Sequence, residues 1–420
     1  MTLLRIAKKS LLNRKGTTFL TVLSVGLSVT LLLGIERVRT GARQSFESTI
    51  SGVDLIAGAR SGPINLLLFS VFRLGNAVHN ISYASFEKLK NHEQVEWAIP
   101  ISLGDSHRGF RVVGTHQDYF KYYQFAGDQQ LTLDQGKPFA GLFETVLGFD
   151  VAAKLKYRVG DTITLSHGMG VVSFQDHGDK PFTVVGILAK TGTPVDQSVH
   201  VSLEAIQALH LDWQDGAPPL DGDQLSPAAL LKMQLAPSDI TAFFVKLKSR
   251  ISIFEVQREI NNYEEEALMA IIPGVILREL WNLVGVAEQA LWVVSVLVFF
   301  VSLIGVMTSM LAALNERRRE MAILRSIGAK KSFVFTVLMT ESLIITLFGE
   351  LLGVSALYFV LMVFGSALES QVGLSLRLFA PTSRDVVYLI TILVASLLAS
   401  TIPAWVAYKN SLADGLTIKN

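Results

Sequence analysis

Long uncharged stretches dominate the hydrophobic pattern of the chain. Three of them contain no charged residue: Gly16–Ile35, Gln289–Asn315 and Val386–Tyr408. A fourth, Ser332–Leu368, is strongly apolar but is interrupted by Glu341 and Glu350. An α-helix rises about 1.5 Å per residue, so about 20 apolar residues cross the hydrocarbon core of a bilayer. The pattern therefore predicts four membrane-spanning helices.

Basic residues in the short connecting segments predict the orientation, because cytoplasmic loops carry an excess of Lys and Arg. The charged residues before the first stretch are all cations: Arg5, Lys8, Lys9, Arg14 and Lys15. The segment between the second and third stretches carries six cations against Glu316 and Glu320. Both termini and residues 316–332 are thus expected in the cytoplasm, and residues 37–285 outside it.

The first stretch follows a basic segment, as a secretory signal peptide would. However, it is longer than an ordinary signal-peptide core of about 7–15 residues, and no small-x-small cleavage site closes it. The charged continuation Glu36–Arg39 indicates a helix that runs on beyond the membrane. We interpret the segment as an uncleaved anchor.

Residues 37–285 mix strand patterns with helical ones. Runs rich in β-branched or aromatic residues end at turn signals in several places: Val95–Leu103, Phe110–Gly114, Asp161–Leu165, Phe182–Leu188, Ser198–Val201 and Phe243–Leu247. Helical periodicity occupies Ser82–Lys90, Leu203–Leu209 and Ile253–Met269. The predicted fold is an α-helical membrane protein with four transmembrane helices and a large α+β extracytoplasmic domain inserted between helices 1 and 2.

The segment Ile64–Phe72 is almost entirely apolar. Such a run is typical of a buried strand or helix in a domain core. The alternative is a surface near the membrane, where Leu67, Phe69 and Phe72 would contact lipid or substrate.

Composition narrows the function classes. Half of the 420 residues are hydrophobic and only 17% are charged, against about 25% in soluble domains. The net charge of +1 argues against a nucleic-acid binder. The chain has no cysteine, which excludes disulfides and thiolate metal sites.

All eight histidines fall within residues 37–285: His79, His92, His107, His116, His167, His177, His200 and His210. His167, Asp176 and His177 are close in sequence, but no histidine pair has a metal-ligand spacing such as His-x3-His. We interpret these residues as part of a solvated loop and predict no metal site.

Residues 315–331 have the pattern of a short amphipathic helix. Met321, Leu324 and Ile327 recur at helical spacing, and Gly328 follows as a C-cap. Such a helix can insert an apolar ridge into the groove of a partner. The alternative is a basic loop that only sets the topology.

The run Glu316–Ala329, with Glu341, Gly349 and Gly353, resembles the FtsX-like permease family of ABC transporters. This type VII superfamily includes macrolide-efflux, lipoprotein-release and cell-division permeases. The similarity continues at Pro403-Ala404 and in the inserted segment at Glu144–Ala152, Arg158–Asp161, Phe182–Gly186 and Thr193–Asp196. One span, a large outside domain and three further spans make up the layout of that family.

The resemblance implies roles for particular residues. The region that rests on a cytoplasmic ATPase is matched by Glu316, Glu320, Arg325, Gly328 and Ala329. Gly349 and Gly353 form a small-xxx-small pair, which permits close helix packing in lipid. Glu341 matches a family position and Glu350 does not, but any carboxylate inside a span is a functional candidate.

The resemblance also implies partners. These are a dimer of cytoplasmic ABC ATPase subunits, a second permease copy (identical, with a related chain as the alternative), membrane lipids and a periplasmic partner protein, but no nucleic acid. The sequence lacks the G-x-x-x-x-G-K-[ST] motif. ATP and magnesium are therefore expected on the partner ATPase, with no cofactor in this chain and no enzymatic activity of its own.

These expectations combine into a permease subunit that couples ATP hydrolysis to movement of a periplasmic domain. The substrate would be periplasmic or in the outer leaflet: a lipoprotein, a peptide or a hydrophobic molecule. One alternative is a force-transmitting scaffold that regulates a periplasmic partner, and another is a component of metal acquisition. A membrane-bound enzyme is disfavoured, because the chain contains neither G-x-S-x-G nor H-E-x-x-H.

The predicted boundaries follow the chain. They are an amphipathic cytoplasmic helix at 1–15, transmembrane helices at 16–36, 286–315, 333–366 and 385–408, the outside domain at 37–285, the coupling loop at 316–332, a short outside loop at 367–384 and a cytoplasmic tail at 409–420.

Overall fold

The computed structural model describes residues 2–167, 180–211, 225–233, 235–316, 329–372 and 382–410. The chain divides into two compact units. Unit 1 comprises Met1–Gly41, Gly285–Leu368 and Leu376–Asn420, and unit 2 comprises Ala42–Val284 and Glu369–Ser375.

The described helices are numbered here in chain order. They are α1 (Thr2–Asn13), α2 (Lys15–Thr49), α3 (Pro63–Ser70), α4 (Tyr83–Lys90), α5 (Asp118–Tyr122), α6 (Phe149–Leu155), α7 (Leu203–His210), α8 (Pro227–Leu230), α9 (Ile253–Asn261), α10 (Pro273–Glu316), α11 (Lys331–Val372) and α12 (Ser383–Asn410).

Four described segments are long and apolar enough to cross a membrane, which confirms the predicted number. They are Lys15–Gly41 in α2, Pro273–Ala312 in α10, Ser332–Gly365 in α11 and Ser383–Lys409 in α12, called spans 1 to 4 below. Two helices are longer than the uncharged stretches of the sequence. Helix α2 continues to Thr49, whereas its uncharged stretch ends at Ile35, and α10 begins at Pro273, whereas its uncharged stretch begins at Gln289.

Unit 2 is built on one large mixed sheet. The described strands are β1 (Leu55–Ala59), β2 (Ile81–Ser82), β3 (Val95–His107), β4 (Phe110–Thr115), β5 (Gln124–Phe125), β6 (Gln129–Gln130), β7 (Leu133–Gly136), β8 (Glu144–Leu147), β9 (Thr162–Ile163), β10 (Ser166–His167), β11 (Phe182–Leu188), β12 (Ser198–Ser202), β13 (Asp239–Ile240), β14 (Ala242–Leu247) and β15 (Leu268–Ile271). The strand order is β15-β1-β14-β3-β4-β12-β8-β11-β7, with β10 beside β3 and β9 beside β11.

Alternation of side chains along the strands creates an apolar layer on each face of this sheet. On β14, Phe244 joins a core that includes α3 and α5, whereas its neighbours Phe243 and Val245 join another that includes α4 and α9. On β4, Val113 belongs to the first core and Val112 to a third one, which includes α6 and α7. Helices thus cover both faces of the sheet.

The helix expected over Ile253–Met269 is wrong in its second half. Helix α9 ends at Asn261, and Leu268–Ile271 forms strand β15 beside β1. The Asn261 side chain accepts a hydrogen bond from the backbone N–H of Ala270 at 2.7 Å and so ties the two elements together. Pairing with a sheet edge therefore overrides the helical pattern of the sequence.

The lipid- or substrate-contact hypothesis for Leu67, Phe69 and Phe72 is corrected by the structure. All three side chains are buried in the core between α3 and the sheet, with Leu67 only 1% exposed. A short helix with apolar residues on every side must be enclosed, and α3 is enclosed by its own domain.

Leu67→Ala is expected to destabilise the protein by about 2–5 kcal/mol, because it opens a cavity in this core. Leu74, which is 54% exposed, provides the matched control, and Leu74→Ala should change stability by no more than about 0.5 kcal/mol. Thermal unfolding of the purified protein in detergent measures both effects. Equal melting temperatures for the two variants would contradict the buried position of Leu67.

Candidate functional site

Span 3 contacts span 1 through glycines. A Cβ atom added to Gly353 would lie 2.5 Å from the carbonyl oxygen of Gly26 and 2.7 Å from Cβ of Val29. A Cβ atom added to Gly349 would lie 2.6 Å from Cβ of Val25. Only residues without a side chain permit this approach, and the predicted small-xxx-small pair therefore lies directly against span 1.

Hydroxyl groups connect the spans near this contact. Thr30 Oγ1 lies 3.0 Å from the carbonyl oxygen of Gly353, and Ser28 Oγ lies 3.4 Å from that of Val298. Ser342 and Ser400 are hydrogen-bonded at 2.5 Å between spans 3 and 4. Such bonds join helices in lipid, where no water competes for the polar groups.

A cluster of charged residues connects spans 1, 2 and 4 at one end of the bundle. We call this the charged cluster, and it consists of Glu36, Arg37, Arg39, Glu288, Arg384 and Asp385. Its centre is the ion pair between Arg37 Nη2 and Asp385 Oδ2 at 2.5 Å, whose side chains are 8% and 6% exposed. By chain order, this is the end at which span 1 continues into unit 2 and span 2 returns from it.

Weaker ion pairs surround this centre. Arg39 contacts Glu288 at 3.0 Å and Glu36 at 3.4 Å, and Arg384 contacts Glu36 at 3.3 Å. Asp385 also lies in the first turn of α12 and accepts a hydrogen bond from the backbone N–H of Thr382 at 2.7 Å. A carboxylate in this position is further stabilised by the helix dipole.

The sequence analysis did not assemble this cluster. It interpreted Glu36–Arg39 only as a continuing helix, and Arg384 and Asp385 only as the balanced charges of a loop. The available signal was that several charges of both signs adjoin the ends of three apolar stretches. Sequence alone does not show which of those ends meet.

A cavity of about 430 Å³ lies beside the charged cluster, within unit 1. One part of its wall is apolar, with Leu32, Ile35 and Trp292, and another part carries Glu36, Arg39 and Glu288. A wall of this kind suits a molecule with an apolar body and a polar or charged group.

The two carboxylates inside span 3 are both buried, Glu341 at 5% exposure and Glu350 at 8%. Oε1 of Glu350 has no hydrogen-bond partner among the described residues. Carboxylates at such depth are costly and are candidates for function. Their functional role stays a prediction.

The residues predicted to couple to an ATPase are mostly outside the described part of the chain. This applies to Glu320, Arg325 and Gly328. Glu316 is the last residue of α10, and Ala329 is a partly exposed residue that precedes α11. Their contact with an ATPase stays a prediction.

Among the described residues, no group of three His, Asp or Glu side chains could hold a metal ion. His167 lies in β10, while Asp176 and His177 are outside the described residues. Buried His107 is instead held by the carbonyl oxygen of Thr164 at 2.6 Å and the hydroxyl of Tyr157 at 3.0 Å.

Comparison with known proteins defines the class of molecule. A family model described as the MacB-like periplasmic core domain matches residues 18–263, more than half of the chain. A second one, described as the FtsX-like permease C-terminal, matches residues 292–412. A search of curated proteins found no match.

Two solved structures are similar to parts of the chain. The periplasmic region of MacB from Actinobacillus actinomycetemcomitans is 12% identical to this chain, with a TM-score of 0.34. The match covers 56% of this chain and 95% of the chain in that structure. The extracellular domain of the noncanonic ABC-type transporter YknZ from Gram-positive bacteria is 14% identical to this chain, with a TM-score of 0.31. That match covers 52% of this chain and 98% of the chain in the solved structure. Both TM-scores are below 0.5, so the assignment rests on the family models.

Four apolar helices and these matches define a multi-pass protein of the bacterial inner membrane. The chain belongs to the family of FtsX-like ABC transporter permeases that carry a MacB-like periplasmic core domain.

Gly353→Ala is expected to destabilise the bundle by about 1–3 kcal/mol, because the added methyl group would overlap Gly26. Gly305→Ala in span 2 is the matched control, since a Cβ atom there has no neighbour within 4 Å. Unfolding in detergent, followed by tryptophan fluorescence, compares the two. A Gly353→Ala protein as stable as Gly305→Ala would contradict the close contact.

Arg37→Ala is expected to cost about 3–5 kcal/mol, because it leaves Asp385 buried without its partner. Arg384→Ala should cost about 0–1 kcal/mol, since that side chain is 71% exposed. The double variant Arg37→Met with Asp385→Asn should recover much of the loss, because both buried charges are removed. A double variant no more stable than Arg37→Ala would show that the charge left on Asp385 is not the cause.

Proposed function

We propose that this chain is the permease subunit through which a separate ABC ATPase moves a periplasmic domain, in order to act on a periplasmic or outer-leaflet substrate. In this proposal both termini and residues 316–332 are cytoplasmic, and unit 2 is periplasmic. ATP and magnesium are bound by a dimer of ATPase subunits. A second permease copy, identical or related, completes the complex.

The observation that carries this proposal is the charged cluster. A buried ion pair is costly to separate, because each charge would then be left without its partner in a poorly polarisable environment. Spans 1 and 4 are held together in this way at the end where the chain passes into unit 2, and the partly exposed pair of Arg39 and Glu288 adds a weaker contact to span 2. Displacement of span 1 or span 4 at that end is therefore expected to carry the other with it.

The contacts farther along the bundle favour the same mechanism. Span 3 is fixed to span 1 through Gly349 and Gly353, so movement that begins at residues 316–332 would reach span 1 through span 3. Span 2 comes directly before the same loop in the chain, so movement of the loop would also reach span 2. In the proposed mechanism, these helices move as a unit.

The cavity beside the charged cluster supports an amphipathic substrate. Its apolar wall would accept a lipid chain or a hydrophobic side chain, and its charged wall would face a headgroup or a peptide terminus. Lipoproteins, amphipathic peptides and hydrophobic molecules all have this division. The cavity does not favour one of them over the others.

A second candidate function, a force-transmitting scaffold for a periplasmic protein, is favoured by a groove in unit 2. This groove, of about 610 Å³, lies at the ends of β4 and β12 and includes Leu231 and Met233, which are exposed apolar side chains. Exposed apolar side chains bordered by polar residues such as His116 and Glu204 fit a protein partner. No observation among the described residues favours metal acquisition.

Purification of the tagged permease from its native membrane tests the central proposal. We expect a cytoplasmic ATPase to be retained, and to be lost from the double variant Glu320→Ala, Arg325→Ala. The matched control is Glu369→Ala, Arg377→Ala, which also removes one acid and one base but in the segment between spans 3 and 4. The control should retain the ATPase, because that segment is proposed to lie on the other side of the membrane.

Loss of the ATPase from both double variants would contradict the docking assignment, as would its retention by both. ATPase activity of the purified complex then separates the two functions. Stimulation by an added amphipathic substrate supports a transporter, whereas stimulation only by a co-purified periplasmic protein supports the scaffold.

A further inference from the structure

Two arginines are buried inside unit 2. Arg73 follows helix α3, and Arg111 lies on strand β4, and each is 7% exposed. Arg111 faces the side of the sheet covered by α3 and α5, the same side as Val113 two residues later. His200 on β12 faces that side too, because it pairs with Val113 in the parallel β4–β12 ladder.

The loop after α3 brings Arg73 to Arg111. Arg111 Nη2 donates hydrogen bonds to the carbonyl oxygen of Gly75 and, at 2.8 Å, to Oδ1 of Asn76. The loop is therefore fixed on β4 two residues beyond Arg73. Arg73 itself has a left-handed backbone with a φ of 61°, which is uncommon for a residue other than glycine. Strained residues of this kind persist where the surrounding structure holds them, often at binding sites.

Tyr119 and His200 complete a group that we call the arginine cluster, together with Arg73 and Arg111. The rings of Tyr119 and His200 are 5.4 Å apart, and both residues are fully buried. Three members each have one buried polar atom without a hydrogen-bond partner among the described residues: Arg73 Nε, Arg111 Nε and His200 Nε2. The Tyr119 hydroxyl lies beside the Arg73 guanidinium, whose charge and hydrogen bond oppose the rise in the pKa of Tyr119 that burial causes. A hydroxyl that accepts from a guanidinium keeps its own proton to donate.

The cluster holds positive charge without a counter-charge. Among the described residues, no carboxylate forms an ion pair with Arg73 or Arg111. Burial lowers the pKa of Arg111, and the neighbouring Arg73 guanidinium lowers it further. Two like charges in a protein interior are strongly destabilising unless something compensates them. Arginine is also the side chain best suited to bind oxyanions, since its planar fork matches their geometry.

His200 adds a requirement of a different kind. Its Nδ1 lies 3.3 Å from the carbonyl oxygen of Val146, and a carbonyl can only accept, so Nδ1 carries the ring proton. Nε2 is then a hydrogen-bond acceptor. Burial, and secondarily Arg73, lowers the pKa of His200 to about 3, so the ring is neutral at pH 7. The cluster therefore presents three donors and one acceptor.

We propose that the arginine cluster is a binding site for a monoprotonated oxyanion, namely hydrogen phosphate. Oxygen atoms of the anion accept from Arg73, Arg111 and Tyr119, and its single O–H group donates to His200 Nε2. Sulfate has the same shape and charge but has no proton to donate. Enclosure of Tyr119 and His200 favours the free inorganic ion over the phosphate group of an ester.

Thermal unfolding of the full-length chain in detergent tests this proposal at pH 7.5 and constant ionic strength. We expect the melting temperature to rise saturably with inorganic phosphate, by about 5 to 10 °C at one hundred times the dissociation constant. Sulfate should give a clearly smaller rise and chloride none. A rise with glycerol phosphate equal to that with phosphate would assign the site to phosphate esters instead. No response to phosphate, or an equal response to sulfate, would overturn the proposal.

Arg111→Met should abolish the response to phosphate, while Arg250→Met, which removes an exposed arginine of unit 2, should leave it unchanged. If Arg111→Met does not fold, His200→Phe provides the second variant, because it removes the acceptor and keeps a buried aromatic ring. It should lose the preference for phosphate over sulfate. A full phosphate response in Arg111→Met, or an unchanged preference in His200→Phe, would contradict the assignment.

Discussion

A helix surrounded by lipid gains little from covering apolar side chains with another helix, because the acyl chains around it are equally apolar. Association of the spans therefore depends on how closely their backbones approach. Gly26, Gly349 and Gly353 allow spans 1 and 3 to approach until even one methyl group would overlap. The Thr30 hydroxyl can reach a carbonyl oxygen of span 3 only because of this proximity. Packing and hydrogen bonding in the bundle thus have one common origin.

The charged cluster adds a different kind of contact at the end of the bundle. The glycine contact depends on shape, because a side chain in place of Gly349 or Gly353 would overlap span 1. The buried pair of Arg37 and Asp385 depends on charge, because separating the pair would leave each charge without its partner. The glycines bring spans 1 and 3 together, and the ion pair holds span 4 against span 1. The movement proposed for this permease would depend on both kinds of contact.

Much of this architecture could be predicted from the sequence, because membrane helices follow from length and hydrophobicity alone. The glycine pair was also predictable, since its spacing of four matches a helix turn. The charged cluster and the arginine cluster were not, because each joins residues far apart in the chain. Ile253–Met269 shows a further limit: its helical pattern continues beyond Asn261, but pairing of Leu268–Ile271 with β1 decides the outcome. The sequence also left open whether Leu67 lies in a domain core or on a surface near the membrane, and its burial in unit 2 decides between the two.

The first and last strands of the large sheet are neighbours. Ile56 of β1 pairs with Ile271 of β15, so the chain enters and leaves the sheet on adjacent strands. A domain whose first and last residues lie side by side can be inserted between two neighbouring helices without forcing the helices apart. The same property allows one such domain to be exchanged for another during evolution while the helical anchor is kept. Diversification of these permeases could then proceed by replacing the inserted part, with the membrane bundle inherited unchanged.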